Sequence, residues 1–120
     1  MDAGGLVSAW LASLANERRL SAHTLRAYRA TLDRFLANLN HANGRPADSA
    51  LLESLDAADI RAFLAARRAE RLSNASAARE LSAIRTFGGY LRDRHGLRLG
   101  GLDGVASPKV RKGLPRPVSP

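Results

Sequence analysis

The sequence has 120 residues, enough for one domain, and its 45% hydrophobic content is that of an ordinary globular protein. It contains no cysteine, which excludes disulfide-stapled scaffolds and thiolate-ligated zinc sites. With 19 Lys and Arg residues against 11 Asp and Glu, the net charge of +8 makes a polyanion the first partner to suspect.

Four helices are predicted, because Ala, Leu and Arg dominate and no stretch alternates apolar and polar residues as a strand does. They are expected over roughly 6–17, 22–39, 57–71 and 74–95, with only a short turn within 47–55. Apolar residues recur at steps of three and four in each helix, which predicts a shared core. The core positions are Leu6, Trp10, Leu11 and Leu14; Leu25, Tyr28, Leu32, Phe35 and Leu39; Ile60, Phe63 and Leu64; and Ala77, Leu81, Ile84, Phe87 and Leu91.

Proline usage divides the chain near Gly96, which is expected to end the last helix in a left-handed conformation. Residues 1–95 are interpreted as a helical domain and 96–120 as a Pro- and Gly-rich linker. The prolines should keep this linker extended, and its cations, Lys109 among them, suit the backbone of a polyanion.

The predicted helices differ in the charge at their first turns. The third helix follows Asp56 and carries another aspartate three residues on, so its own carboxylates balance the positive end of the helix dipole. The second helix follows Ser21 and carries Thr24 in its first turn, whereas the fourth follows Ser73 and carries Ser76; neither first turn contains an acid. Serine is also simply a good cap, worth about 1 kcal/mol. Two such beginnings on one small domain nevertheless predict contact with a phosphate backbone.

The outward faces of the second and fourth helices are basic or small, which suits close approach to a nucleic acid groove. They carry His23, Arg26, Ala30 and Arg34 on one helix and Arg79, Ser82, Ala83, Arg85 and Thr86 on the other. The alternative is an ordinary solvated surface, which is how we interpret Arg67, Arg68 and Arg71 on the third helix.

No catalytic, cofactor or metal site is predicted. The carboxylates are scattered or serve as helix caps, and no glycine-rich phosphate loop follows a strand. The three histidines lack the spacing of metal ligands. No apolar run approaches the ~18 to 20 residues that cross a bilayer. The first residues lack the basic stretch of a signal peptide, so we expect a cytoplasmic protein without a membrane partner.

Three segments resemble the amino-terminal core-binding domain of Xer-type tyrosine recombinases, nearest to the XerC group. They are LSAHTLRAY at 20–28, LSNASAARELSAIRTF at 72–87, and the linker pattern of Ser107-Pro108-Lys109 with Leu114-Pro115. The resemblance covers nearly the whole chain, and the order and spacing of the segments make it more specific than any segment alone.

The resemblance implies a SAM-like fold of crossed helix pairs that grips duplex DNA at a recombination core site. In that family a larger catalytic domain closes on the DNA from the other side, so the resemblance implies no catalytic residue within these 120 residues. It also implies partner recombinase subunits in a full-length tetramer and a role in chromosome dimer resolution, with this fragment monomeric. The expected DNA-binding residues are Ser21, Thr24, Arg26, Ser73, Ser76, Arg79, Ser82, Arg85 and Lys109.

Three features depart from the family pattern, one of them the absence of the usual Asn-Pro-Ala after the fourth helix. Arg71 stands where relatives usually have glycine closing the third helix, and Gly88-Gly89 replaces bulky residues in the fourth. Each glycine within a helix costs about 1 kcal/mol relative to alanine, so fraying or a kink is expected near Tyr90.

Two other functions fit the basic helical sequence. One is a protein-interaction domain that docks an acidic partner or a neighbouring subunit, which would need an exposed apolar patch such as one around Val7 and Leu11 on the first helix. The other is a helix-turn-helix regulator acting as a symmetric dimer.

Overall fold

The computed structural model describes residues 2–105, and this part of the chain forms five α-helices. Helix α1 spans Ala3–Ser13, α2 spans Ala22–Asn43, α3 spans Ser49–Ser54, α4 spans Ala57–Ala69 and α5 spans Asn74–Tyr90. Residues 2–105 contain no strand, and the expected all-α fold is confirmed. The predicted extended linker lies outside the described residues, apart from its first part, 96–105.

In two places the structure is helical where the spacing of apolar residues did not predict a helix, and a side-chain N-cap explains each. Helix α1 begins at Ala3 because the Asp2 side chain accepts a hydrogen bond from the Gly5 amide at 2.9 Å. The predicted short turn is helix α3, which begins where Asp48 accepts from the Leu51 amide at 2.9 Å. That hydrogen bond lowers the pKa of the Asp48 carboxyl.

Helix α5 lies at the centre of the fold, because it packs against α1, α2 and α4, while α2 also packs against α1. The predicted core positions are buried, except that Leu25 and Tyr28 are half-buried at the edge. Aromatic rings join the helices: Trp10 stacks on Tyr28 with centroids 5.4 Å apart, and Phe35 meets Phe63 edge-on at 5.3 Å. Trp10 also packs against Phe87 of α5 with ring centroids 5.3 Å apart, so this one side chain of α1 contacts both α2 and α5.

The Gly88-Gly89 pair does not interrupt the last helix. Helical structure continues to Tyr90 and then widens into a π-helical turn at Leu91–His95. Gly96 ends it with φ of 63°, the left-handed conformation expected there. A Cβ at Gly88 would lie 2.8 Å from Leu102 Cδ1, so an alanine here would displace the end of the Leu102 side chain.

The chain beyond Gly96 turns back onto the helices. Leu99 and Val105 are buried in the core, and the Gly100 amide donates to the Leu52 carbonyl at 3.0 Å. The packed structure thus reaches Val105, whereas the division of the chain at residue 95 stays a prediction.

Candidate nucleic-acid interface

The N-termini of α2 and α5 are built in the same way. The Ser21 hydroxyl accepts from the Thr24 amide at 3.1 Å and donates to the Thr24 hydroxyl at 3.0 Å. At α5, Ser73 accepts from the Ser76 amide at 3.1 Å, and the two hydroxyls lie 3.2 Å apart. Neither first turn carries an acid. Both dipole ends are therefore left without a compensating carboxylate in their own turn.

Helix α4 provides the contrast that the sequence predicted. Asp56 accepts from the Asp59 amide at 3.1 Å, while Asp59 accepts from the Asp56 amide at 2.9 Å. This reciprocal capping box places two carboxylates at the positive end of the helix.

The first turns of α2 and α5 line one groove of about 500 Å³, which we call the α2/α5 groove. His23 and Thr24 lie in the first turn of α2, and Ser76 lies in the first turn of α5. The full lining is His23, Thr24, Ala27, Tyr28, Ala30, Thr31, Arg34, Arg67, Leu72, Ser76, Arg79, Glu80, Ser82 and Ala83. The two acid-free helix beginnings thus converge on a single surface.

Four of the predicted DNA-binding residues line the α2/α5 groove: Thr24, Ser76, Arg79 and Ser82. Arg79 is exposed, and its Nη2 donates to the Ser76 hydroxyl at 2.9 Å. Within residues 2–105 Arg79 forms no ion pair, so its charge is available to an anion in the groove.

The other predicted residues lie elsewhere. Ser21 and Ser73 cap the helices beside the groove without lining it, and Arg26 is exposed outside it. Arg85 is half-buried and donates to the Val105 carbonyl, so it holds the C-terminal segment rather than facing Arg79. Lys109 lies outside the described residues.

The structure adds a buried ion-pair cluster that the sequence analysis missed. Glu80, 5% exposed, accepts from Arg67 Nε at 2.9 Å through one oxygen and from Arg34 through the other. The interpretation of Arg67 as solvated surface is wrong, because its side chain is 13% exposed and bonded to Glu80. One signal was available: Glu80 lies on the apolar stripe of its helix, three residues after Ala77 and four before Ile84.

The charge balance of the groove is positive. Arg34, Arg67 and Arg79 line it, and Glu80 is the one acidic side chain of residues 2–105 that does so. Both oxygens of Glu80 are already engaged by arginines. Since arginine offers five N–H donors, these side chains retain donors for an anion such as phosphate.

The apolar patch required of a protein-interaction domain is not found on α1. Val7 is 1% exposed and Leu11 is 8% exposed, so both belong to the core. No helix within the described residues is long and apolar enough to cross a membrane. The same part of the chain holds no group of three or more His, Asp or Glu side chains placed to bind a metal ion.

Comparison with known proteins agrees with the helical fold. Residues 7–95 match the family described as the phage integrase N-terminal SAM-like domain. A protein named tyrosine recombinase XerC from Methylobacterium nodulans is 46% identical over 112 residues, which cover 92% of this chain and 34% of that protein. No solved structure matches the chain.

Further relatives carry the same name. The tyrosine recombinase XerC of Methylobacterium sp. is 43% identical over 118 residues, covering 98% of this chain and 36% of that protein. That of Bradyrhizobium diazoefficiens is 38% identical over 109 residues, covering 91% and 34% respectively. The chain therefore spans about a third of the length of these relatives. By the match over residues 7–95 and these identities, the chain belongs to the N-terminal SAM-like domain family of phage-type integrases, the tyrosine recombinases.

Proposed function

We propose that this domain grips duplex DNA for a site-specific tyrosine recombinase and that the α2/α5 groove faces the sugar-phosphate backbone. The observation that carries the proposal is the convergence of two acid-free helix beginnings on one groove lined by three arginines. Helix N-termini and arginine side chains both donate hydrogen bonds to phosphate oxygens. Their juxtaposition supplies both within a single contact surface.

The groove suits positioning on the backbone as well as sequence reading. Thr24 and Ser76 offer hydroxyls and backbone amides of the first helical turn to phosphates. Arg79 is long enough to reach a base edge in a groove of the DNA. Small neighbours such as Ser82 let the helix approach the DNA closely. Arg26 and Arg85, outside the groove, would contact DNA only if the duplex extends over adjoining faces.

The whole protein is proposed to be a cytoplasmic tyrosine recombinase that acts with partner recombinase subunits in a tetramer. Support comes from the names of relatives that are about three times as long as this chain. Catalysis is assigned to a further domain. A role in chromosome dimer resolution is part of the same proposal.

Fluorescence anisotropy of a labelled duplex at several salt concentrations tests the proposal. The chain should bind more weakly as salt rises, since each phosphate contact contributes about 0.9 to the slope of log affinity against log salt. Replacing Arg79 by Ala should lower affinity by about 1–3 kcal/mol if it reads a base, or lower the slope by about one if it contacts phosphate.

Arg92→Ala is the matched control, because it removes the same charge from a side chain 74% exposed beyond the other end of α5 and paired with Asp93. Its effect should be clearly smaller than that of Arg79→Ala. Equal losses in the two variants would mean that the chain binds DNA only through its overall charge, without using the groove.

The regulator alternative differs in assembly. A helix-turn-helix regulator acts as a symmetric dimer, whereas the proposed function expects this fragment to be monomeric. Sedimentation at increasing concentration separates the two, since a mass that rises to twice that of the chain would favour the regulator.

A further inference from the structure

A carboxylate on the floor of a groove that binds DNA requires a physical reason. Glu80 lies on α5, yet its oxygens engage Arg34 of α2 and Arg67 of α4, so one buried side chain joins three helices. Its side chain is 7% exposed, compared with 13% for Arg67 and 40% for Arg34. The negative charge lies where it repels phosphate, which lowers DNA affinity unless it has another effect.

The two arginines depend on Glu80 for their positions. Arginine side chains have several rotatable bonds, and ordering them in a DNA complex costs entropy unless they are already held. Glu80 receives Arg67 Nε at 2.9 Å and a donor from Arg34, while Arg34 Nε is buried without a hydrogen-bond partner in residues 2–105. Without Glu80, Arg34 would lose its ion-pair partner, and Arg67 would keep only the exposed Glu70, to which its Nη1 donates at 2.7 Å.

We propose that Glu80 is a positioning residue for DNA binding: by holding Arg34 and Arg67, it fixes the cations of the α2/α5 groove in a binding-ready arrangement. The proposal rests on the proposed function, because it takes duplex DNA as the ligand of the groove. It predicts that an acidic residue increases affinity for a polyanion. Simple charge counting predicts the opposite sign, and this makes the proposal testable.

The test compares Glu80→Gln with the unsubstituted chain in the anisotropy assay. Glutamine keeps the shape but supplies only one acceptor oxygen and no charge, so it cannot hold two guanidinium groups as the carboxylate does. We expect affinity to fall about tenfold although the domain has become more positive. The salt slope should fall by about one, as one arginine ceases to meet a phosphate.

Glu17→Gln is the matched control. Glu17 pairs with Arg94, neither residue lines the groove, and the Glu17 side chain is 53% exposed, so the variant makes the same charge change away from the buried cluster. Its affinity should be equal to or slightly above that of the unsubstituted chain. Thermal unfolding and Trp10 fluorescence establish that both variants are folded. If Glu80 had only a structural role, Glu80→Gln would lower the melting temperature but leave the DNA affinity and its salt dependence unchanged.

Two outcomes separate this proposal from the proposed function. If the unsubstituted chain binds and Glu80→Gln binds as tightly or more tightly, the positioning role is overturned and the groove still serves as the interface. If the unsubstituted chain does not bind duplex DNA, both proposals are overturned.

A second variant covers the case in which Glu80→Gln does not fold. Arg34→Lys keeps the charge and the partly exposed position but loses the planar fork that Glu80 orients. Weaker binding by this variant supports the positioning role, because charge alone would leave affinity unchanged. Unchanged affinity overturns it.

Discussion

Within residues 2–105, two residues other than glycine have a strained backbone conformation that arginine rarely adopts. Arg71 has φ of 66° and Arg19 has φ of 53°, both in the left-handed region. Arg71 closes α4, where its amide donates to the Arg68 carbonyl at 2.9 Å and the Leu72 amide reaches back to Arg67 at 3.4 Å. Glycine is the residue that normally adopts this conformation at the end of a helix. An arginine there adds a positive charge at the negative end of the helix dipole, which offsets part of the strain.

Replacing Arg71 by Gly should raise the free energy of unfolding by about 0.5–1 kcal/mol. The left-handed conformation costs a non-glycine residue about 1–2 kcal/mol, and glycine removes that cost. The greater conformational entropy of glycine in the unfolded chain offsets only part of this stabilisation. Urea unfolding followed by fluorescence of Trp10, the single tryptophan, measures it. Arg68→Gly, within α4, is the control and should lose about 1 kcal/mol. A less stable Arg71→Gly variant would show that Arg71 makes a favourable contact.

For single residues, hydrogen bonds to near neighbours in sequence can be predicted, whereas contacts between residues far apart in sequence cannot. The caps at Ser21, Ser73 and Asp56 follow from the sequence because a cap bonds an amide three residues away. The partners of Glu80 lie 46 and 13 residues away in sequence, so no local pattern identifies them. The hydrogen bond from Arg85 to the Val105 carbonyl is also invisible to local patterns, because it depends on the chain turning back after the last helix.

At the scale of elements, the segment after the last helix is held by close backbone contact. A Cβ on Gly100 would lie 2.1 Å from the Leu55 carbonyl oxygen, and one on Gly101 would lie 2.3 Å from the Asp56 carbonyl carbon. Arg61 Nη1 also donates to the Gly104 carbonyl at 3.2 Å. The glycines that suggested a loose linker are therefore the ones that let 97–105 pack against the junction of α3 and α4.

Gly100→Ala should destabilise the domain by about 1–3 kcal/mol, since backbone must shift to admit the methyl group. Gly89→Ala is the matched variant, because a Cβ there meets nothing nearer than Arg92 Nη2 at 3.9 Å and lies within α5. It should stabilise by about 0.4–1 kcal/mol. The same urea experiment measures both. A neutral Gly100→Ala would mean that the segment is only loosely docked.

The length of a helix decides whether the periodicity of its apolar residues can predict it. The long helices were recoverable because apolar residues repeat over several turns, and their stripes are the core that the structure contains. Helix α3 is six residues long, too short for a repeat to be visible, so only a turn was expected. Helix α3 begins where the Asp48 side chain caps it. It packs against the segment after the last helix, where the Gly100 amide donates to the Leu52 carbonyl.

At the scale of the whole molecule, the arginines differ in whether a carboxylate neutralises them. Beyond the far end of α5, Arg94 pairs with Glu17 and Arg98 pairs with Asp103, each with an exposed partner. At the near end, Arg79 lies beside two helix beginnings with a hydroxyl as its hydrogen-bond partner. A net charge of +8 predicts an anionic partner, and the fold shows that the α2/α5 groove brings three arginines together with one carboxylate.

The most direct test of the central claim, that the α2/α5 groove faces duplex DNA, is an NMR titration of the chain with a short duplex, following backbone amide shifts. The largest shifts are expected in the first turns of α2 and α5, around Thr24 and Ser76, and at Arg79, and these shifts should be lost at high salt. Largest shifts around residues 97–105 instead, or shifts spread evenly over the surface, would contradict it.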